Sequence, residues 1–331
     1  MKSGWPRIEQ RPQMIATFII SGLILLTLGG ELLVRGAVNL ARALGISPLL
    51  VGLVIVGFGT STPELAISIF AAYKEAPGIV MGNVVGSNIA NILLILGVSA
   101  LIAPLAVRPS ALRRDGIALV GSTLACLVAV LFGVINGAVG SILVLLLVLY
   151  VGWAYVKERN VSPAEIKTHV HMAEDAAPEE VQSPGRSLGV AVLGIFATIV
   201  GARLLVDGAI DLARGWGLSE TVIGLTIVAV GTSLPELVAC AIAAFRRHGD
   251  VALGNVIGSN VYNVFGVLGF TAVVHPISIP GEIVYLDIWV LILATGILIT
   301  FLRSGWLLRR WEGAVLLVLY AAYLIYLAYH G

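Results

Sequence analysis

An internal repeat constrains the fold of this chain more than any other feature of its sequence. When the sequence is aligned with itself at an offset of 172 residues, positions 49–98 match positions 221–270 without a gap, and 21 of these 50 pairs are identical. Each copy contains the same two motifs in the same order, G-T-S-x-P-E and then G-N-x-x-G-S-N-x-x-N. Polar motifs that recur at a fixed offset indicate two structurally equivalent halves.

The sequence around the repeat is too apolar for a soluble protein. Hydrophobic residues make up 58% of the 331 residues and charged residues only 12%, whereas about a quarter of the residues of a soluble domain are charged. A membrane-spanning helix needs about 20 mainly apolar residues. On that basis ten spans are predicted, at 14–34, 46–72, 79–103, 115–135, 138–156, 187–210, 219–245, 250–274, 284–302 and 309–329. The fold class is therefore predicted to be an all-α membrane protein.

The number of spans between the two copies determines their relative orientation. Five spans separate equivalent segments, and because five is odd, equivalent helices cross the membrane in opposite directions. We therefore predict ten transmembrane helices in two inverted five-helix repeats, residues 1–156 and 187–331, joined by a polar linker, residues 157–186. Inverted repeats of this kind bind their substrate near the centre of the membrane, between interrupted helices.

Charge predicts the topology and argues against one class of partner. Thirteen lysines and arginines fall on the side of the odd-numbered connections and five on the side of the amino terminus. Because basic loops stay preferentially in the cytoplasm, we expect both termini outside and the linker 157–186 in the cytoplasm. The net charge of +1 gives no support for a nucleic-acid partner, and no motif points to an obligatory protein partner.

Two glutamates, Glu64 and Glu236, occupy equivalent positions deep inside predicted spans. A carboxylate at the centre of a bilayer costs roughly 2.5–3.5 kcal/mol on insertion scales, so its presence in both halves requires compensation. The residues before them, Pro63 and Pro235, remove a backbone N–H and disturb the helix. Two interpretations are open: protonated glutamates that brace neighbouring helices by hydrogen bonds, or ligands of a cation.

The residue types around the glutamates favour a cation site. Carboxylate, amide and carbonyl oxygens suit hard cations such as Ca²⁺, and the motifs contain no cysteine or histidine. The serine and the last asparagine of each G-S-N-x-x-N motif are four residues apart and share a helix face. The candidate side-chain ligands are Glu64, Thr60, Ser61, Ser87 and Asn91, and Glu236, Thr232, Ser233, Ser259 and Asn263. The other asparagines of the motifs either contribute further polar groups to the site or pack helices together; they are Asn83, Asn88, Asn255 and Asn260.

The paired motifs resemble the two α-repeats of the cation/Ca²⁺ exchanger superfamily, especially prokaryotic Na⁺/Ca²⁺ exchangers, over essentially the whole chain. The resemblance implies an antiporter of a prokaryotic inner membrane, not an enzyme, that exchanges Ca²⁺ for Na⁺ by alternating access. It implies no cofactor beyond these transported ions. It also implies that the ten candidate side chains bind the ions together with the carbonyls of Gly57 and Ala229. Many of these exchangers have an aspartate at the position of Asn263, so two carboxylates are present here.

Three other functions compete with this interpretation. H⁺/Ca²⁺ antiport is the alternative within transport, because glutamates can carry protons themselves. A channel would pass current without a counter-ion. An intramembrane enzyme has the least support, because the sequence contains no H-E-x-x-H and no G-x-S-x-G motif.

Glycines predict which helices move during transport. We expect spans 1 and 6 to slide against a core formed by spans 2, 3, 7 and 8, because small residues offer smooth helix faces. The glycines in question are Gly22, Gly29, Gly30 and Gly36 in the first span, and Gly189, Gly194, Gly201 and Gly208 in the sixth.

Overall fold

The computed structural model describes residues 11–107, 109–159, 183–215, 231 and 233–330, and helices make up nearly all of them. The helices are α1 (Arg11–Leu44), α2 (Pro48–Tyr73), α3 (Pro77–Ile102), α4 (Pro109–Leu131), α5 (Gly137–Arg159), α6 (Pro184–Gly215), α7 (Leu234–Phe245), α8 (Gly249–Val274), α9 (Ile283–Arg303) and α10 (Arg310–His330). In this described part, nine helices are long and apolar enough to span a membrane, and α7 ends the seventh predicted span. The predicted all-α membrane fold is confirmed.

The packing of α1 on α6 shows that the two halves are inverted. Gly22 of α1 lies against Gly201, whereas Gly29, further along α1, lies against Gly194, which comes earlier in α6. Contacts that advance along one helix and retreat along the other define an antiparallel pair. Because α1 and α6 are equivalent helices of the repeat, the halves have opposite orientations.

The same contacts correct the expected role of the glycines. A Cβ atom at Gly29 or Gly194 would overlap the backbone of the partner helix, so these positions bring α1 and α6 together. Gly22, Gly36, Gly201 and Gly208 also face the α1–α6 contact. Of the eight glycines, only Gly30 faces the predicted core, against Val238 and Ile242 of α7. The expectation that they form smooth faces toward the core is therefore wrong for most of them.

Helix α1 continues to Leu44, well beyond its predicted end at residue 34. The charged residues at this end of the predicted span are paired within the fold. Arg35 donates to Glu31 at 2.5 Å, one helical turn away, and Arg246 at the end of α7 donates to the same carboxylate at 2.6 Å. Because these charges are paired, the helix continues through them.

Helix α2 is interrupted at the place that is equivalent to the start of α7. A turn at Ser61 separates the first part of α2 from Thr62–Tyr73, and Ser233 has nearly the same backbone angles before α7. Each break comes two residues before a proline, which cannot donate a hydrogen bond to the preceding turn. The last part of each helix therefore begins inside the protein, with Glu64 or Glu236 in its first turn.

Helices α3 and α8 form the centre of the molecule. Buried residues make up 83% of the most apolar window of α8 and 72% of that of α3, against 22% of that of α10. Close approach to α2 depends on glycines of α8, because a Cβ at Gly254 or Gly258 would overlap the backbone of Leu49 or Leu53. Widened π-helical turns follow at Asn91–Ile95 in α3 and Tyr262–Leu268 in α8.

Four two-residue strands, which the sequence did not predict, tie the two halves together. Strand β1 (Leu105–Ala106) pairs antiparallel with β4 (Leu307–Leu308), and β2 (Val134–Ile135) pairs antiparallel with β3 (Ile277–Ser278). Each pair joins a connection of the first half to a connection of the second. The hydroxyls of Thr123 in α4 and Thr295 in α9, which are equivalent positions, lie 3.2 Å apart between these ties.

Candidate cation-binding site

Two buried carboxylates lie at the start of the helix segment Thr62–Tyr73 and of α7. Glu64 and Glu236 are each only 1% exposed to solvent. Each lies in the first turn of a helix segment, where the helix dipole stabilises negative charge. The two carboxyl groups are close enough to interact electrostatically. The Oε2 atom of each has no hydrogen-bond partner among the described residues.

Four asparagines form a symmetric network between α3 and α8. Asn91 donates through Nδ2 to Oδ1 of Asn260 at 3.0 Å, and Asn263 donates in the equivalent way to Oδ1 of Asn88 at 3.0 Å. Asn88 and Asn260 also donate to each other's backbone carbonyls, at 3.2 and 3.5 Å. All four side chains are buried. The network therefore joins the two halves at their centre.

This network determines which way the ligand amides point. Since the Nδ2 groups of Asn91 and Asn263 are used by Asn260 and Asn88, their Oδ1 atoms remain available as acceptors. Both Oδ1 atoms are buried and have no hydrogen-bond partner among the described residues. Leaving a buried acceptor unsatisfied costs about 1–3 kcal/mol. Two amide oxygens and two carboxylate oxygens in this condition form a set of acceptors that a cation can satisfy.

The predicted hydroxyl ligands are buried in the same region. Thr60 Oγ1 lies 3.0 Å from the carbonyl of Val56 and 3.3 Å from Oδ1 of Asn255, and it also interacts with the carboxyl group of Glu236. Ser61 is 3% exposed, and its hydroxyl has no partner among the described residues.

The remaining predicted ligands take different positions, and two of them lie outside the described residues. Ser259 donates to the carbonyl of Gly57 at 3.4 Å, which brings α8 onto α2, and Ser87 donates to the carbonyl of Asn83 at 2.6 Å. Ser233 is buried before α7. Thr232 and Ala229 lie outside the described residues.

Asn88 and Asn260 have an orienting role that the sequence alone did not predict. Helix packing was an open alternative for them, and the structure shows that their packing contacts also orient Asn91 and Asn263. Their position three residues before each ligand asparagine was the available signal. It was ambiguous because spacing along one helix cannot show which residue of the other half lies opposite.

Helix segments that begin inside the protein at equivalent places of two inverted repeats, around a buried set of oxygens, define a class of protein. This class is the secondary active transporter, in which each half supplies part of a central site. The chain belongs to the sodium/calcium exchanger family, because the model for sodium/calcium exchanger proteins matches residues 14–156 and 186–329. It is therefore an integral membrane transporter and not an enzyme.

Individual relatives of this chain are exchangers or antiporters, and their names specify different ions. A sodium/calcium exchanger of Methanosarcina acetivorans is 36% identical, with 94% of this chain and 97% of the relative covered. A solved structure of the sodium-calcium exchanger NCX_Mj matches with a TM-score of 0.80 and 32% identity, over 94% of this chain and 97% of that one. A Ca²⁺/H⁺ antiporter of Bacillus subtilis is 29% identical over 82% of this chain and 81% of its own length.

Proposed function

We propose that this protein exchanges Ca²⁺ for Na⁺ across the membrane by alternating access at one central site. The ligands would be the ten side chains of the repeated motifs together with the carbonyls of Gly57 and Ala229. One observation carries the proposal: four buried oxygens, from Glu64, Glu236, Asn91 and Asn263, have no partner among the described residues. Each half supplies one carboxylate and one amide, so the site can be reached from either side with the same ligands.

The charge of the site limits the ions that it can neutralise. Two carboxylates carry −2, which one Ca²⁺ or two Na⁺ would balance, whereas three Na⁺ would leave an excess charge of +1. Asn91 and Asn263 add oxygens without adding charge. Oxygen ligands of this kind suit Ca²⁺ better than softer metals. Ca²⁺ and Na⁺ would therefore compete for the same two carboxylates, which is the basis of exchange.

We further propose that the protein lies in a prokaryotic inner membrane, with both termini outside and the 157–186 linker in the cytoplasm. The distribution of basic residues supports this orientation. Residues 1–156 and 187–331 would act as the two halves of the exchanger. In this orientation the contact between Glu31 and Arg246 lies on the cytoplasmic side.

H⁺/Ca²⁺ antiport is the second candidate function. It is favoured by the two carboxylates, which can bind protons in place of a cation, and by the similarity to the Ca²⁺/H⁺ antiporter of Bacillus subtilis. The two functions share a site and differ in the gradient that drives Ca²⁺ movement.

A flux experiment in proteoliposomes separates the two candidates. Purified full-length protein is reconstituted, and ⁴⁵Ca²⁺ uptake is measured with only an outward Na⁺ gradient, with pH and membrane potential clamped. We expect Na⁺-driven uptake that saturates with Ca²⁺. Uptake that is driven by a pH gradient and does not depend on Na⁺ would show that the protein exchanges Ca²⁺ for H⁺ and not for Na⁺. Current without any counter-ion would identify a channel.

A further inference from the structure

A groove open to the outside of the protein lies between α4 and α9, away from the central site. Its volume is about 800 Å³, within the range of roughly 300–1,000 Å³ that ligand sites occupy. The wall is apolar, with Ile117, Leu124 and Ile299 as its larger side chains. Gly121 leaves the groove open, because a Cβ atom there would meet nothing within 4 Å among the described residues.

Polar and charged groups gather at one end of this groove only. Arg113 comes from the amino end of α4 and Arg303 from the carboxyl end of α9, and both line the groove. Both side chains are exposed, and within the described part of the chain neither makes an ion pair. Ser110, in the first turn of α4, lines the same end. The first turn of a helix also presents unpaired N–H groups that favour an anion.

An exposed tryptophan indicates how deep in the membrane the charged end of the groove lies. Trp306 lines the groove, is 43% exposed, and has a φ of 57°, a left-handed conformation that is unusual for a bulky residue. Its carbonyl accepts a hydrogen bond from Val107 N at 2.9 Å, next to the β1–β4 pair, which holds this turn in place. Tryptophan is enriched at the boundary between the apolar core and the polar region of a membrane. The charged end of the groove therefore lies at the level of lipid headgroups.

The fold does not require this groove, since the residues at the symmetry-equivalent positions of α4 and α9 differ in character. The positions equivalent to Arg113 and Gly121 are Tyr285 and Leu293, and the position equivalent to Arg303 is Leu131. The opening, the two arginines and the glycine are thus specific to one end of α4 and α9, on one side of the membrane.

We propose that this groove binds an anionic phospholipid of the leaflet that faces the α3–α4 and α9–α10 connections. Its acyl chains lie along Ile117, Gly121 and Leu124. Its headgroup phosphate is held by Arg113 and Arg303. A basic pocket between transmembrane helices matches an acidic lipid headgroup, and the apolar wall selects a lipid over a free anion. Charge complementarity selects an anionic lipid over a zwitterionic one.

Native mass spectrometry of the purified full-length protein tests the proposal, with phosphatidylglycerol or phosphatidylcholine added at equal concentration. We expect wild-type protein to retain phosphatidylglycerol preferentially. The Arg113→Gln and Arg303→Gln substitutions together should weaken its retention about fivefold per arginine. Gly121→Leu should reduce retention by filling the groove while both arginines remain.

Matched controls separate the groove from general effects of charge and size. Arg186→Gln removes an exposed arginine elsewhere, at the start of α6, and Gly152→Leu enlarges a glycine of α5 that also has open space around it. Both variants should retain phosphatidylglycerol as wild type does. Three results would overturn the proposal: no lipid preference in wild type, unchanged retention in the groove variants, or equal losses in the controls. Concentration-dependent dimers that Gly121→Leu abolishes would instead assign the groove to a second copy of the chain.

Discussion

In the two halves of the protein, the residues around the glutamates correspond one to one, whereas those at the periphery do not. Asn83 donates to Ser68 at 2.9 Å behind Glu64, and its equivalent, Asn255, contacts Cys240, the equivalent of Ser68, at 3.1 Å. The asparagine network repeats in the same way. At the periphery, by contrast, equivalent positions differ: Arg113 and Gly121 of the first half correspond to Tyr285 and Leu293, and Arg303 of the second half corresponds to Leu131.

This difference separates two physical requirements. A site that opens alternately to both sides holds its ions equally well in both states only if each half supplies equivalent ligands. The outer surfaces face different leaflets and different solutions, so they are free to diverge. Symmetry thus indicates residues that act in transport, and asymmetry indicates residues that give the protein a direction or a local environment.

The largest effect is expected at the two carboxylates. Glu64→Gln and Glu236→Gln each remove one charge from the proposed ion site, which should cost about 3–5 kcal/mol and lower Ca²⁺ affinity more than a hundredfold. The measurement is Na⁺-driven ⁴⁵Ca²⁺ uptake in proteoliposomes. Near-normal uptake in either variant would contradict the assigned site.

Glu312→Gln is the matched control for this prediction. Glu312 is also only 1% exposed, but its carboxylate accepts hydrogen bonds from Arg309 N at 2.7 Å and Ser304 Oγ at 3.2 Å, at the start of α10. Gln keeps an acceptor oxygen there, so this variant should retain exchange. A comparable loss of uptake would show that any buried carboxylate is needed for folding.

A smaller and equal effect is expected at the orienting asparagines. Asn88→Leu and Asn260→Leu remove the acceptors that fix the amides of Asn263 and Asn91, so each should weaken Ca²⁺ binding about tenfold, or about 1.4 kcal/mol. Isothermal titration of Ca²⁺ gives the affinities. Effects that differ by more than about threefold between the two variants would break the symmetry of the site.

Thr123→Val provides the control for the asparagine variants. It removes another buried polar contact between equivalent residues, the 3.2 Å contact with Thr295, outside the site. Thermal stability should fall while Ca²⁺ affinity stays the same. A loss of affinity here would mean that any cross-half contact, rather than amide orientation, controls binding.

A still smaller effect, restricted to one side, is expected at the contact between α1 and α7. Arg246 donates to Glu31 at 2.6 and 3.1 Å, whereas the equivalent positions in the other half are Lys74 and Arg203, which have the same sign. Partly exposed ion pairs contribute about 0.2–1 kcal/mol. Glu31→Gln should therefore change the half-saturating Ca²⁺ concentration up to about fivefold, and more on one side of the membrane than on the other.

Oriented membrane vesicles give the half-saturating concentration for each side separately. Lys74→Gln, at the position equivalent to Arg246, is the control and should change neither value. Equal changes on both sides in Glu31→Gln would show that the ion pair does not favour one of the two conformations.

The smallest effect concerns pH and stability at the connection between α7 and α8. Burial lowers the pKa of His248 from the usual value of 6.5. The unfolded chain therefore binds a proton more readily than the folded protein. The stability present above about pH 6.5 is lost as pH falls through the lowered pKa of the folded state. The charged groups around His248 are Asp250, Arg42, Arg246 and Glu31.

Thermal unfolding between about pH 7.5 and pH 5 measures this contribution. His248→Gln should flatten the decline in the midpoint temperature, whereas His275→Gln, at the end of α8, should leave it unchanged. An identical decline in wild type and His248→Gln would exclude this histidine as its source.

The apolar spans predicted the membrane fold and the repeat predicted the glutamate pair, because each follows from residues that are close in sequence. Pro63 followed by Glu64 in an apolar span predicts an interrupted helix with a buried charge, without knowledge of how the helices pack. The role of Asn88 was not predictable in this way, because it depends on the Asn263 amide lying opposite in space. The contact between Glu31 and Arg246 was not predictable for the same reason, because the two residues are 215 positions apart in the sequence. Strands of two residues are too short to show alternation.

The short strands also determine which contacts can form while the chain is still being synthesised. Residues 105–106 of β1 cannot pair until β4 emerges from the ribosome about 200 residues later, roughly 10–40 s at ordinary rates of synthesis. The Asn88 amide and the Thr123 hydroxyl also lack their partners, Asn260 and Thr295, until the second half has been synthesised. The first five helices therefore enter the membrane as an unfinished assembly with open hydrogen-bonding edges. The hydrogen bonds between the two halves are complete only after the connection between α9 and α10 has been synthesised and β4 has paired with β1.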